Sequence, residues 1–186
     1  MLEVSELKAQ PGFSSEQLSH LAVDAKSDPA AFGRLYNQMV QPVYRYIRSR
    51  VSSPHEAEDL TSQTFIAVLE GLHAYRERGY FSAWLFRIAR SKVMDHYRRS
   101  RVELPLEAVE DHVGLDDALN GVVRSDQLER LARLIRARSE DERELIRLRY
   151  VADLSYAEIA QVLGKREGAV KKTMYRLLAS IKSQME

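Results

Sequence analysis

Leu154-Ser155-Tyr156-Ala157-Glu158-Ile159-Ala160-Gln161-Val162-Leu163-Gly164-Lys165-Arg166-Glu167-Gly168-Ala169-Val170-Lys171-Lys172-Thr173-Met174-Tyr175-Arg176-Leu177-Leu178 reads as two helices and a turn. Ser155 and Glu158, three apart, form a capping box that opens a short helix carrying Ile159, Ala160, Val162 and Leu163. Gly164 follows as the residue after the helix, where a positive φ is often required. After about three turn residues a second helix, 167–183, repeats apolar side chains at Val170, Met174, Leu177, Leu178 and Ile181. Arg166, Glu167, Lys171, Lys172, Tyr175 and Arg176 are left on its outer and flanking faces. A short helix, a glycine turn and a basic second helix match the helix-turn-helix that seats a recognition helix in a DNA major groove.

Upstream, Ser139 and Glu142 repeat the capping box, and the pattern gives helices over 126–137 and 140–151. Ser53-Pro54-His55-Glu56 is another such box, with proline just inside it, opening a helix to about His73. Asp28-Pro29 starts a further helix, which Pro42 ends or kinks, and 16–26 forms the first. A helix over 82–101 shows Leu85, Ile88, Ala89 and Met94 as its core side. No strand pattern appears. The expected fold is all-α: two small helical domains, 16–101 and 126–186, joined by a flexible acidic linker, 102–125, after a disordered segment, 1–15.

The 186 residues have a net charge of +1, but the charge falls in blocks. Residues 1–28 are net −3, 29–101 net +6, 102–126 net −6 and 127–186 net +4. Two basic blocks flanking an acidic one suit two DNA-facing domains with a tether that repels phosphates. The plainer reading is solvated helix faces and a disordered acidic connector. Zero cysteines exclude disulfides, thiol catalysis and Cys-based metal sites, and suit a reducing cytosol. The longest apolar run, Phe65–Leu69, is far short of a membrane span, and no signal peptide shows. The five histidines lack ligand spacing, and adjacent Asp95 and His96 point about 100° apart. No enzyme, no metal and no cofactor is expected.

Six aromatics lie between Tyr75 and Tyr97, interleaved with Arg76, Arg78, Arg87, Arg90 and Lys92. Duplex DNA hides its π-faces and separated strands expose them, so such a loop and helix suit melted DNA. Trp84 and Phe86 read rather as core, whereas Tyr80 and the arginines read as nucleic-acid contacts.

Ala57-Glu58-Asp59-Leu60-Thr61-Ser62-Gln63-Thr64-Phe65, Phe81–Arg90 and Asp95-His96-Tyr97-Arg98-Arg99 together resemble region two of bacterial RNA polymerase sigma factors. Arg149-Tyr150, Leu154–Ala160 and Leu163-Gly164 resemble region four, and the absence of a region three points to the extracytoplasmic-function group. The resemblance implies a promoter-specificity factor with core RNA polymerase and promoter DNA, duplex and melted, as partners, in the cytoplasm without membrane insertion. It implies that Asp59, Leu60, Gln63 and Phe65 dock on core polymerase. It places Arg76, Arg78, Tyr80, Arg87, Arg90, Ser91, Asp95 and Arg98 at the minus-ten element. It places Arg166, Glu167, Lys171, Lys172, Tyr175 and Arg176 at the minus-thirty-five element, and implies sequestration by an anti-sigma factor. The family's usual Gln-Glu is Ser62-Gln63 here, a common Asn is Ser91, and the recognition helix departs at Arg166, Ala169 and Thr173, so promoter sequence does not transfer. A stand-alone helix-turn-helix regulator, or an interaction protein that titrates an anti-sigma factor, are the alternative readings.

Overall fold

The computed structural model describes residues 13–76, 79–103 and 126–185, with side-chain surroundings given through Ser100 and again from Asp126. The expected disorder of 1–15 and the acidic linker fall almost wholly outside these residues, as does Arg78. Every regular element among the described residues is helical. In chain order they are α1 (Ser15–Asp24), α2 (Pro29–Arg48), α3 (Pro54–Gly71), α4 (Phe81–Glu103), α5 (Asp126–Arg136), α6 (Glu140–Ile146), α7 (Tyr156–Leu163) and α8 (Glu167–Met185). A 3-10 turn, Leu72–Ala74, extends α3, and a π-helical turn, Arg147–Val151, extends α6.

The starts are set by side-chain caps. Ser53, Ser139 and Ser155 each accept from the backbone three residues on or nearby, while Glu56, Glu142 and Glu158 reach back to the cap N–H. Asp28 accepts from the Ala30 N–H, with Pro29 at the first helical position. Pro42 does not end α2, which continues to Arg48. Proline costs the helix one amide donor, but Met39, Val43, Tyr46 and Ile47 flank it in the core, and burial of that stripe outweighs a single lost bond.

The first four helices enclose Leu35, Val43, Tyr46, Ile47, Phe81, Leu85 and Phe86, all fully buried. Phe86 meets the Tyr46 ring edge-on at 5.4 Å. α3 and α4 approach closely at Gly71, where a Cβ would lie 3.2 Å from the Trp84 ring. Val93, not Met94, continues the core side of α4; Met94 is exposed and its sulfur faces Arg50. Leu85, Phe86, Ala89 and Val93 sit at 1–3–4 spacings, and the rotation of the helix carries Met94 out of that stripe.

The second set of helices does not stand apart. α4 lies across α7, α2 meets the π-turn, and Leu145, Leu148, Leu154, Ile159, Val162 and Met174 join one apolar cluster with the first bundle. A smaller cluster of Ile135, Ile146, Leu177 and Ile181 ties α5 to α8. Gly164 ends α7 at φ +64°, the left-handed conformation that an L side chain enters at a cost. Gly164→Ala is expected to lower the unfolding free energy by about 1 kcal/mol. Phe86→Ala is expected to lower it by about 3–5 kcal/mol, both read from urea denaturation.

Candidate nucleic-acid interface

The second helix of the turn motif, α8, buries Val170, Met174, Leu177 and Ile181 at 4–3–4 spacing and so turns its other sides to solvent. Arg166, Glu167, Lys171, Lys172, Tyr175 and Arg176 are all exposed, as the pattern requires. Lys171 Nζ lies 2.7 Å from Glu167 Oε1, and that hydrogen bond holds the ammonium above its ordinary range. Lys172 and Arg176 make no ion pair among the described residues, which leaves their charge available to a phosphate.

Beside α8 lies a patch that the sequence reading did not single out as a site. The Arg149 guanidinium sits 5.4 Å from the Tyr156 ring centroid and Lys171 Nζ 6.0 Å from it. Tyr175 stands 6.2 Å from Tyr156, and Tyr150 is exposed. Arg149 is held by a 2.9 Å bond to the Leu154 carbonyl. The cations and ring faces of the π-turn and of both motif helices thus meet on one side.

On the first bundle the aromatic reading narrows. Tyr75, Phe81 and Phe86 are buried: Tyr75 and Phe81 pack edge-on against each other and tilted against the half-buried Trp84, while Phe86 packs against Tyr46. Tyr97 is partly exposed but gives its hydroxyl to the Arg50 carbonyl. Tyr80, 38% exposed in the loop before α4, remains as the open ring, with Arg76 exposed nearby in sequence. Ser91 and Arg98 are exposed and Asp95 half-buried on successive turns of α4. Arg98 hydrogen-bonds Asp95 and holds that carboxyl below its ordinary value.

Arg87 and Arg90 sit differently from the others. Arg87 Nη2 donates to the Gln161 carbonyl on α7 at 2.6 Å, and Arg90 Nε lies 3.4 Å from Glu144 Oε1. They face the second set of helices, where a buried charge cluster joins the two halves. Glu144, 4% exposed, accepts from the Tyr46 hydroxyl at 2.7 Å and from Arg50 Nη1 at 2.8 Å. Arg147 Nη1 stands 3.7 Å from Glu144 and donates to Glu140 at 2.8 Å. Burial, reinforced by the Glu144 charge, pushes the Tyr46 phenol well above its ordinary value of 10. A second bridge joins Ser15 Oγ to Glu158 Oε1 at 2.7 Å.

The third surface is the outer side of α3. Asp59 and Gln63 are exposed there, whereas Leu60 and Phe65 belong to the core, Phe65 packed edge-on against Tyr36 at 4.8 Å. The exposed apolar side chains of this face are Ile66 and Leu69, 57% and 52% accessible. Phe65 lies beneath this face, and the next residue, Ile66, turned about 100° from it, is the apolar side chain that reaches the surface. Asp59 also faces His55 at 3.3 Å. Among the described residues no three His, Cys, Asp or Glu side chains group as a metal site, and no helix is long and apolar enough to cross a membrane.

Comparison with known proteins gives this geometry a context. Residues 35–102 match the family profile of Sigma-70 region 2 and residues 128–181 that of Sigma-70, region 4. The chain is 39% identical over 176 residues to the ECF RNA polymerase sigma factor BldN of Streptomyces coelicolor, covering 90% of this chain and 65% of that protein. It is 30% identical over 159 residues to the RNA polymerase sigma factor YlaC of Bacillus subtilis, covering 81% and 90% respectively. Among solved structures, CnrH in complex with the cytosolic domain of CnrY superposes with a TM-score of 0.65 at 25% identity, over 91% of this chain and 96% of that one.

The Tyr46 phenol gives this buried cluster a pH signature. Its folded value lies above its unfolded one, so its contribution is complete below pH 10 and declines as pH rises above 10, where the unfolded phenol ionises and the folded one does not. The stability advantage of the wild type over Tyr46→Phe is therefore expected to shrink above pH 10, measured by urea denaturation of both at pH 8–11.

Proposed function

As a member of the sigma-70 family of bacterial RNA polymerase sigma factors, in its extracytoplasmic-function group, this chain has an activity that we propose as follows. It is a binding protein of the cytoplasm, without catalysis of its own, that docks on core RNA polymerase, selects promoters and captures the melted strand. The carrying observation is the open, basic outer face of α8 on a glycine-turned helix pair, within a chain that matches both sigma regions in order.

Each surface has a physical part in that work. Arg166, Lys172, Tyr175 and Arg176, with Lys171 and Glu167 beside them, read and neutralise duplex DNA at the minus-thirty-five element. Arg149 and Tyr156 at their side give this face its further cation and ring. Tyr80 supplies a ring for an unpaired base of the minus-ten element, and Arg76, Arg78, Arg87, Arg90 and Arg98 supply charge for its backbone. Ser91 and Asp95 add hydrogen-bonding groups on the same helix. On α3, Asp59 and Gln63 with Ile66 and Leu69 offer polymerase a polar and apolar strip, while Leu60 and Phe65 hold that strip in place from beneath. A regulatory partner holds the chain in the absence of signal, as the cytosolic domain of CnrY is found with CnrH. The residue assignments and the domain limits 16–101, 102–125 and 126–186 stand as part of this reading.

Run-off transcription with purified core polymerase on a promoter identified upstream of induced transcripts tests the whole. Template-specific product that appears when the chain is added supports it, and its absence with a folded chain rejects it. Ile66→Asp is expected to lower affinity for core polymerase at least tenfold, measured by fluorescence anisotropy, with far-ultraviolet circular dichroism unchanged. Lys172→Ala is expected to reduce the log–log salt slope of duplex binding by about 0.9 if it holds one phosphate. Tyr80→Ala is expected to weaken binding of the unpaired strand by about 1–3 kcal/mol and leave the duplex element unaffected.

A further inference from the structure

Helix α1 carries none of the residues assigned above to polymerase or DNA, yet it holds the backbone around the open ring of Tyr80. Tyr80 stands immediately before α4, and its carbonyl accepts from the Trp84 N–H at 3.1 Å, so it occupies the capping position of that helix. A capping residue ordinarily takes an orphan N–H of the first turn with a short side chain such as Ser, Asp or Asn. A tyrosine hydroxyl lies too far out to do so. The acceptor comes instead from α1: Ser19 Oγ, fully buried, accepts from the Phe81 N–H at 3.2 Å, from 62 positions away in the chain.

The Tyr80 carbonyl and the Phe81 N–H belong to one planar peptide unit. That plane is tied at its oxygen to α4 and at its nitrogen to α1, and with it the Cα from which the Tyr80 ring projects. The other end of the loop is tied to the same element. The Tyr75 hydroxyl lies 3.5 Å from Ser19 Oγ. Lys26, two residues beyond α1, donates to the Tyr75 carbonyl at 2.7 Å and sits 6.0 Å from the Tyr75 ring centroid.

We infer that Ser19 is a positioning residue for capture of the melted strand. It touches no DNA but sets the peptide that presents Tyr80 to an unpaired minus-ten base, while Lys26 fixes the far end of the same loop. The inference rests on the assignment of Tyr80 to the unpaired strand; the hydrogen bonds do not. Without the Ser19 hydroxyl the Phe81 amide stays in a fully buried site with its acceptor gone, and loop conformations that turn the amide toward water compete with the productive one. Strand affinity then falls with the fraction of chains that keep the productive loop. The recognition face of α8 shares no residue with this anchor.

Fluorescence anisotropy of holoenzyme on a labelled unpaired strand, carrying the minus-ten sequence of the run-off promoter, tests the role. Ser19→Ala is expected to weaken strand binding about three- to tenfold, the equivalent of one lost hydrogen bond, and to leave binding of the minus-thirty-five duplex unchanged. Lys26→Met keeps the aliphatic stem and is expected to weaken strand binding about two- to fivefold. Lys26 is half-buried at the edge of the bundle, so this second variant leaves the core intact. In a Tyr80→Ala background neither change is expected to weaken strand binding further, because no ring is left to place, whereas general destabilisation would add its loss to that of Tyr80. Exchange of the Phe81 amide, followed by nuclear magnetic resonance on the free chain, is expected to be about fivefold faster in Ser19→Ala. Strand affinity unchanged in Ser19→Ala and Lys26→Met, while Tyr80→Ala still weakens it, overturns the positioning role and leaves the Tyr80 assignment standing. Additive losses in the double variants also overturn it. If Tyr80→Ala itself binds the strand as well as the wild type, the Tyr80 assignment fails and this inference fails with it.

Discussion

A single buried carboxylate organises this molecule. Glu144 enters from the end of α6 into a region closed on all sides by protein, where a bare charge is many kcal/mol less favourable than in water. Its two oxygens are met by a phenol and a guanidinium from α2 and its end, positions 94 to 98 residues away in the chain. Neither half alone supplies the partners, so the group can be dry only when both halves are in register. Ion pairs of this kind add little net stability, because desolvation offsets most of the attraction. They add orientation instead: an apolar patch tolerates sliding, whereas three donors around one carboxylate do not.

That orientation explains how α4 is divided among tasks. Its inward stripe, Leu85, Phe86, Ala89 and Val93, completes the first bundle. A neighbouring stripe carries Arg87 and Arg90 toward α7 and α6. Another presents Ser91, Asp95 and Arg98. The loop ahead of the helix displays Tyr80, while Tyr75 and Phe81 on either side of it anchor the loop through ring packing. On α8, by contrast, one buried stripe leaves the outer face open to solvent.

Helix existence, the three serine caps, the glycine-ended turn and the outward set on α8 were written in the chain. Each depends on groups within four residues of one another, where hydrogen-bond reach and the 3.6-residue period leave little choice. Met94 was misplaced because it lies at the edge of an apolar stripe. Only the curvature and neighbours of the helix decide which edge residue turns inward.

What the sequence determined by itself is therefore local: two helical sets, their limits at caps and breakers, a basic recognition face, and a chain without membrane-length apolar segments or thiols. The tertiary structure decided which polar groups meet across the molecule. Periodicity marks the face of a helix that avoids water but carries no record of what lies opposite the remaining faces. Arg87 reads as a free cation in the chain and is a hydrogen-bonded one in the fold. Glu144 reads as one more surface acid and is a buried carboxylate of the contact. Pairing over 74 to 98 residues depends on where whole bundles come to rest, and that is settled by the summed burial of both cores rather than by any short stretch of residues.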